Sequence, residues 1–280
     1  MTILVTGGNG KTGSILCKLL HSANVPFLIA SRSGKAPEPF KAVTFNWLDP
    51  TTYENPFQAD PNIDKIYIVG PDNVFEQLPY VRPFLELAVS KGVKRFVALT
   101  STQSQPGDRP TGVIHQVLLD LNVEFTVLKP TWFIDNFATM FYTSIRENNE
   151  IVTTSGNGKV PFIAAQDIAE AAFKALTADK TLQEEFLILG PELHSYDEAA
   201  HILSTVLGRT ITHRHISVEE KTQILSHFLS LEYAAYLADI EHKIAAGSEE
   251  KFLEEADNKK FVGKRTLLQF FQDNRNLWIK

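Results

Sequence analysis

Short apolar runs alternate with segments of helical periodicity over the first 190 residues of the chain. Strands are predicted from seven apolar or β-branched runs, at residues 2–6, 26–30, 42–46, 65–69, 95–99, 124–128 and 185–189. Between most of these runs, apolar residues recur at the three- and four-residue spacing of helices, and residues 74–91 are predicted to be helical despite Pro79 and Pro83. The pattern predicts an α/β fold, with a doubly wound parallel Rossmann sheet and a smaller, mostly helical C-terminal lobe.

The same alternation sets the predicted domains. Residues 1–150 form a dinucleotide-binding Rossmann domain, and residues 160–190 return one strand and one helix to its sheet. Residues 191–280 form the helical lobe, in which Ser195-x-x-Glu198 and Ser217-x-x-Glu220 are capping boxes that predict two helix starts. Residues 248–260 form a charged stretch to which the pattern assigns no element.

A glycine-rich turn, GGNGKTG at residues 7–13, joins the first strand to the first helix. Gly7 permits a tight turn, Gly10 leaves room for a pyrophosphate, and Gly13 lets the helix pack close to the strand. The free backbone amides and the helix dipole then face the anion. The turn therefore predicts a phosphate cradle for a dinucleotide, and a tight βα turn without a ligand is the alternative.

The end of the second strand predicts which dinucleotide binds. In a Rossmann fold an acidic residue here binds a free ribose 2′-hydroxyl, whereas an arginine accommodates a 2′-phosphate. No acid is present, and Arg32 lies nineteen residues after Gly13, with Ser31, Ser33 and Lys35 around it. A guanidinium binds phosphate bidentately, so NADPH or NADP is predicted rather than NAD. The alternative is a solvated basic loop.

Ligands of open α/β sheets bind beyond the carboxyl ends of the strands, and this rule selects the remaining cofactor residues. Trp47 follows the third strand, where it either flanks an adenine or packs in the core. The residues after the fourth and fifth strands are predicted on the nicotinamide side. The complete predicted cofactor-binding set is Gly7, Asn9, Gly10, Lys11, Thr12, Gly13, Ser31, Arg32, Ser33, Trp47, Gly70, Thr100, Ser101, Pro130 and Phe133.

Four residues are candidates for catalysis: Trp132, Asp135, His115 and Thr102. Trp132 lies in a segment that is both aromatic and polar, which suits the wall of a substrate pocket, although an ordinary core-facing connection fits as well. Asp135 either stabilises a cationic substrate or caps the helix after its segment. His115 either transfers a proton or is a surface or hydrogen-bonded histidine outside the chemistry. Thr102 follows the fifth strand on the nicotinamide side.

A catalytic tyrosine with a lysine four residues later, the usual pair of short-chain dehydrogenases, is absent from the sequence. None of the seven tyrosines has a lysine at that spacing. This argues against carbonyl reduction, in which hydride arrival creates an alkoxide that must be protonated. Reduction of an iminium ion gives a neutral amine and needs no acid, so positioning and electrostatics suffice.

Composition excludes several classes of protein and partner. The chain has 280 residues, 44% of them hydrophobic, and a net charge of -6, so no basic footprint predicts nucleic acid or an acidic membrane as a partner. A small-molecule substrate and a cytoplasmic location are expected, and a homo-oligomer is left open.

The single cysteine, Cys17, is predicted to be a buried small hydrophobe. His213-x-His215 places two imidazoles on one face of a strand without an evident third ligand, so no metal site is predicted.

Four segments together resemble the NmrA-like branch of atypical short-chain dehydrogenases, and within it the fungal festuclavine and agroclavine dehydrogenases. They are TGGNGKTG at residues 6–13, KPTWFIDN at 129–136, PFI at 161–163 with DIA at 167–169, and LGPE at 189–192 with SYDE at 195–198. The resemblance extends over nearly the whole chain. It implies a Rossmann fold, NADPH, and delivery of a hydride to an iminium carbon of an indole alkaloid.

Two other functions are consistent with this resemblance. One is an NmrA-like cyclase that couples redox chemistry to a Diels–Alder cycloaddition in a prenylated indole alkaloid pathway. The other is a regulator that binds NADP and a protein partner without catalysis. A new ring in the product would indicate the cyclase, and cofactor binding without a substrate pocket beside the nicotinamide would indicate the regulator.

Overall fold

The computed structural model describes residues 1–181 and 185–279. Its strands are β1 (Thr2–Thr6), β2 (Phe27–Ser31), β3 (Ala42–Thr44), β4 (Ile63–Ile68), β5 (Arg95–Leu99), β6 (Glu124–Pro130), β7 (Glu150–Thr153), β8 (Lys159–Val160), β9 (Glu185–Leu189), β10 (His194–Ser195), β11 (Thr212–His215) and β12 (Lys260–Val262). Its α-helices are α1 (Lys11–Ser22), α2 (Asn55–Ala59), α3 (Leu78–Ser90), α4 (Gly112–Asp120), α5 (Ala165–Thr177), α6 (Tyr196–Leu207), α7 (Val218–Ser226), α8 (Leu231–His242) and α9 (Leu267–Asp273).

Eight of these strands form a parallel sheet in the order β12-β9-β6-β5-β4-β1-β2-β3. The chain runs from β1 through β2 to β3 on one side and places β4, β5 and β6 on the other, with parallel pairing throughout these six strands. All five residues of β1 are buried, as expected for a central strand covered on both faces. The predicted doubly wound fold is confirmed, and its order reverses between β1 and β4.

Two predicted elements differ in the structure. Residues 248–260, which received no element, lead into β12, and this strand pairs in parallel with β9. The helix predicted at residues 74–91 begins at Leu78, with Pro79 in its first turn and Pro83 inside it. Proline is tolerated in a first turn because that backbone N–H has no partner inside the helix.

The chain divides into two compact units. Unit 1 comprises Met1–Pro130 and Ile168–Phe186, and unit 2 comprises Thr131–Asp167 and Leu187–Lys280. The segment from residue 131 to 150, which was predicted with the Rossmann domain, is therefore part of unit 2.

The core of unit 1 is dense in aromatic side chains around Phe84 of α3. Its ring centroid lies 4.7 Å from that of Phe45, 5.1 Å from Trp47 and 5.5 Å from Tyr53. Cys17 of α1 is fully buried, and desolvation by burial raises the pKa of its thiol to about 12. The prediction that Cys17 is a buried small hydrophobe is confirmed.

Unit 2 has its own aromatic core. The Phe137 ring lies 5.1 Å from Phe271 and 5.9 Å from Tyr196, and all three side chains are fully buried. The capping box predicted at the start of α6 is present: Ser195 Oγ accepts the Glu198 backbone N–H, and the Glu198 carboxylate accepts the Ser195 N–H. At α7, Ser217 Oγ accepts the Glu220 N–H, which is one of the two hydrogen bonds of the predicted capping box.

An ion pair is buried inside unit 2. Lys221 Nζ lies 3.0 Å from Glu241 Oε1, and the two side chains are 7% and 2% exposed. The Lys221 ammonium also donates to the Val152 carbonyl, and Glu241 Oε2 accepts the Thr154 backbone N–H. Each charge therefore has hydrogen-bond partners, which offsets its desolvation.

No helix among residues 1–181 and 185–279 combines the length and the apolar character that a membrane span requires.

Candidate functional site

The turn after β1 has the backbone that the glycine pattern predicts. Gly7 has a φ of +64°, and the Gly10 N–H donates to the Gly7 carbonyl at 2.8 Å. A Cβ at Gly13 would lie 2.3 Å from the Gly7 carbonyl oxygen. The left-handed conformation at Gly7 and the close approach at Gly13 both favour glycine. The predicted tight turn is thus confirmed, whereas phosphate binding stays a prediction.

The amino terminus of α1 is left open by this turn. Gly10 is the N-cap residue, so no side chain caps the helix, and the first turn carries no acidic residue. The first amides of an α-helix have no partner within the helix, and together with the dipole they attract an anion. The geometry suits a phosphate group.

The loop after β2 is held against the glycine turn by hydrogen bonds. Asn9 Nδ2 donates to the Lys35 carbonyl at 3.2 Å, and Ser31 Oγ donates to the same oxygen at 2.9 Å. The Lys35 N–H donates to Ser33 Oγ. Arg32 is exposed, and no salt bridge involves it in the described part of the chain. The loop thus brings three predicted residues close to the turn and presents a guanidinium to solvent.

A cavity of about 520 Å³ lies beside this turn and loop. Its walls include two residues of the predicted cofactor set, Asn9 and Ser33. They also include Gly8 of the glycine turn and Lys35 of the loop after β2. Sequence reasoning missed Ser14 and Lys18, which α1 adds to the wall. Ser14 and Lys18 follow Gly10 at intervals of four residues, so all three lie on one face of α1. This spacing was the available signal.

Two other predicted cofactor residues have structural partners. The Trp47 side chain is buried in the core, and its Nε1–H donates to the Val69 carbonyl at 3.0 Å. The Thr12 hydroxyl accepts a hydrogen bond from Tyr67 Oη at 3.0 Å. Burial raises the pKa of the Tyr67 phenol, so this group stays protonated. Both contacts fix the walls of the turn, and a role toward a ligand stays a prediction for each residue.

The residues predicted on the nicotinamide side follow β4 and β5 at the carboxyl ends of these two strands. The Thr100 N–H donates to the Leu128 carbonyl at 2.9 Å, and the Thr102 N–H donates to the Pro130 carbonyl at 3.1 Å. These hydrogen bonds continue the pairing with β6 past Leu99, the last residue of β5. Three other members of the predicted set differ in exposure: Ser101 and Gly70 are half-buried, and Lys11 is exposed.

His115 lies on α4 of unit 1. It is 6% exposed, and the edge of its ring faces Phe125 with centroids 5.5 Å apart. Burial in an aromatic contact is the environment of a packed histidine, and its proposed proton transfer stays a prediction.

The aromatic segment after β6 belongs to unit 2. Trp132 and Phe133 are both half-buried, and the Trp132 carbonyl accepts the Ile163 N–H at 3.0 Å. Asp135 Oδ2 accepts the backbone N–H of Ala165, the first residue of α5, at 2.8 Å. Of the two predicted roles for Asp135, a bond to a helix start is present, although the helix is α5 rather than the one directly after the segment.

The sheet order and the open glycine turn define a Rossmann-type dinucleotide-binding fold. Solved structures share this fold. A nucleoside-diphosphate-sugar epimerase from Staphylococcus aureus superposes with a TM-score of 0.81 at 18% identity, covering 97% of this chain and 100% of that one. Triphenylmethane reductase from Citrobacter sp., complexed with NADP(H), gives a TM-score of 0.77 at 21% identity, covering 98% and 99%.

Sequence comparison identifies the family. No protein-family profile matches. Festuclavine synthase I of Penicillium roqueforti is 37% identical and covered over 100% of both chains. Agroclavine dehydrogenase of Claviceps fusiformis is 36% identical, covering 100% of this chain and 99% of that one. Festuclavine dehydrogenase of Aspergillus fumigatus is 38% identical over 100% of both. The chain belongs to the family of oxidoreductases that contains these festuclavine and agroclavine enzymes, so the resemblance to them drawn from its motifs is confirmed.

Proposed function

We propose that this protein is an NADPH-dependent oxidoreductase of indole alkaloid biosynthesis that delivers a hydride to an iminium carbon of a polycyclic substrate. The observation that carries the proposal is full-length identity of 36–38% to festuclavine and agroclavine enzymes in a chain with an open glycine turn. The fold alone would fit many reductions, since one fold supports many chemistries.

The residues of unit 1 fit a dinucleotide bearing a 2′-phosphate. The uncapped start of α1 offers backbone amides to the pyrophosphate. Arg32 lies one residue past β2, and Lys18 and Lys35 line the adjacent cavity, whose wall also includes Glu38. Together these cations favour a phosphate over a hydroxyl at the adenosine ribose. NADPH, when bound, supplies the hydride from C4 of its nicotinamide.

Proton donation by a tyrosine is not required for this reaction, because hydride addition to an iminium carbon yields a neutral amine. The two most buried tyrosines, Tyr67 and Tyr196, have environments that do not favour proton transfer, which agrees with a reaction that needs no acid. Burial raises the pKa of both Tyr67 and Tyr196, and it removes them from solvent. Their environments keep both phenols neutral at physiological pH, without the lysine that would lower the pKa of a catalytic tyrosine.

Unit 2 supplies the side chains suited to a flat, cationic substrate. Trp132 and Phe133 are half-buried, and Trp132 packs against the hydrophobic core of unit 2. In this proposal the accessible part of each ring binds an indole by stacking and a cation by its attraction to the ring quadrupole. In this proposal the rings orient the iminium carbon and exclude water, and rate acceleration comes from positioning.

Stereospecifically deuterated NADPH tests the proposal. Purified protein is incubated with the labelled cofactor and an indole iminium substrate of the festuclavine or agroclavine type. We expect deuterium on the former iminium carbon of the product, in a single configuration. Product formation at full rate without reductant, or a new ring formed without deuterium incorporation, would overturn the proposal.

A further inference from the structure

Three side chains of unit 2 with the chemistry of metal ligands lie together: Asp197, His213 and His215. His213 Nδ1 is 3.2 Å from Asp197 Oδ2, and His215 Nε2 is 3.4 Å from the same oxygen. All three ligand atoms lie within 4.8 Å of one another. The cluster shares no residue with the glycine turn or the segment at residues 132–135.

The fold explains why sequence reasoning found only two of these residues. His213 and His215 are two apart on β11, so their side chains share a face of the strand. Asp197 is the second residue of α6, sixteen residues earlier in the sequence. No local spacing rule joins a helix start to a strand at that distance, and only the packed unit brings the third ligand to the pair.

The buried histidine has a nitrogen without a hydrogen bond. The His213 side chain is 0% exposed, and its Nδ1 atom, although 3.2 Å from Asp197 Oδ2, makes no hydrogen bond of acceptable distance and angle among the residues that the structure describes. Its other nitrogen, Nε2, lies 2.7 Å from Thr153 Oγ1. Thr153 Oγ1 in turn lies 2.6 Å from Ser155 Oγ. A buried polar atom without a partner is costly, so a ligand at Nδ1 would relieve a real deficit.

This arrangement has the features of a metal-binding histidine. Such a histidine binds the cation through one nitrogen and donates its other N–H to a polar neighbour, which fixes the ring. With the proton on Nε2, Thr153 is that neighbour, and Nδ1 presents a lone pair toward Asp197. A lone pair facing a carboxylate is repulsive unless a proton or a cation lies between them.

We propose that Asp197, His213 and His215 bind one Zn²⁺ ion, with a fourth position left for water. Tetrahedral zinc with bonds of about 2.0–2.1 Å has ligand atoms roughly 3.3–3.4 Å apart, and two of the three separations here are 3.2 and 3.4 Å. His215 is 45% exposed, so its ring is free to turn and shorten the third separation. Two imidazoles and one carboxylate are a donor set typical of zinc.

The ion would fasten the first turn of α6 to β11. Asp197 and His215 are 48% and 45% exposed, which gives the cation a path from solvent, whereas His213 anchors the site inside the unit. A cation that binds the folded state alone stabilises it by RT ln(1 + [L]/Kd), so the stabilisation grows with the logarithm of the cation concentration above the dissociation constant. The site therefore predicts a protein whose thermal stability rises with Zn²⁺.

Calorimetric titration of the metal-free, full-length protein with Zn²⁺ tests the site. We expect one ion per chain, and more than about tenfold weaker binding in His215→Gln and in Asp197→Asn, because each change removes a ligand. Both residues are about half exposed, so these variants keep the buried core intact. Thr153→Val should weaken binding by roughly tenfold, through loss of the partner that orients His213.

The matched control is His227→Gln, which removes an exposed histidine of the same unit outside the cluster. It should bind Zn²⁺ like the unmodified protein. Co²⁺ in place of Zn²⁺ should give the strong visible absorption of a four-coordinate site, and Asp197→Asn should abolish it. The proposal is overturned if Zn²⁺ does not bind at one per chain. It is equally overturned if His215→Gln binds as tightly as the control, in which case the cluster is a carboxylate bridging two histidines.

Discussion

Replacing Gly13 with alanine perturbs the turn on which the proposed cofactor site depends. The new Cβ would lie 2.3 Å from the Gly7 carbonyl oxygen, 2.8 Å from the Gly7 carbonyl carbon and 2.9 Å from the Gly8 Cα. All three neighbours are backbone atoms, so no side chain can rotate away. The first of these contacts falls about 1.2 Å short of an optimal separation of roughly 3.5 Å. The helix and the turn must therefore move apart.

Two opposing effects set the magnitude. Overpacking costs about 1–3 kcal/mol, whereas alanine lowers the entropy of the unfolded chain by about 0.4–1 kcal/mol relative to glycine. The net loss is about 1–2 kcal/mol, which lowers the melting midpoint by roughly 2–8 °C in a chain of this size. Displaced amides also lose hydrogen bonds to an anion worth about 1.5–3 kcal/mol, so NADPH affinity should fall roughly 10- to 100-fold.

Gly10→Ala is the matched variant within the same turn. Its Cβ meets only the Gly7 carbonyl oxygen, at 3.1 Å, and a φ of -84° is open to any residue. Stability should change by less than about 1 kcal/mol, while the methyl group obstructs a phosphate and weakens NADPH binding. Thermal melting and fluorescence titration with NADPH measure both effects.

Two results would refute this reasoning. Unchanged melting and unchanged NADPH affinity in Gly13→Ala would mean that the close approach in the turn has no energetic consequence. Wild-type NADPH affinity in Gly10→Ala would mean that the pyrophosphate does not lie against this glycine.

Three further predictions concern other parts of the chain. Arg32→Ala should weaken NADPH binding by roughly 10- to 100-fold and leave NADH binding unchanged, in titrations where Lys94→Ala, an exposed cation before β5, serves as the control. Asp135→Ala should lower stability by about 0.5–2 kcal/mol because the hydrogen bond to the start of α5 is lost, whereas Asp135→Asn should retain most of that stability. If Asp135→Asn lowers turnover at unchanged stability, the negative charge of Asp135 takes part in the reaction. Lys221→Met should lower the free energy of unfolding, measured by denaturant titration, by about 3–5 kcal/mol, because it leaves the Glu241 carboxylate buried without its partner. A smaller loss in the double variant Lys221→Met with Glu241→Leu would confirm that cause.

The sequence predicted the parts of the fold that local patterns encode. The glycine turn, the order of strands up to β6 and the cap at Ser195 follow from backbone freedom, hydrophobic period and hydrogen bonding within a few residues. The strand β12 was missed because it is only three residues long and lies at the end of a charged stretch. Its position in the sheet is set by pairing with β9, where Lys260 lies opposite Leu187. Such pairing leaves no periodic signal.

The candidate site shows the same limit. Arg32 and the glycines were found because their positions follow directly from strand ends. The core contacts of Trp47 and the bond from Asp135 to Ala165 depend on packing between distant segments, so the sequence left two roles open for each residue. Ser14 and Lys18 were missed because a helical face becomes a cavity wall only when a loop folds opposite it.

The missing cap at Gly10 has a consequence for the lifetime of the protein. The amides of a first helical turn without a side-chain cap open more readily, so local opening in the absence of nucleotide should begin at this end of α1. Hydrogen exchange of these amides should slow when the dinucleotide is added, and proteolysis should slow with it. The nucleotide would then act as a folding ligand, and the cell's supply of it would govern how long each molecule survives.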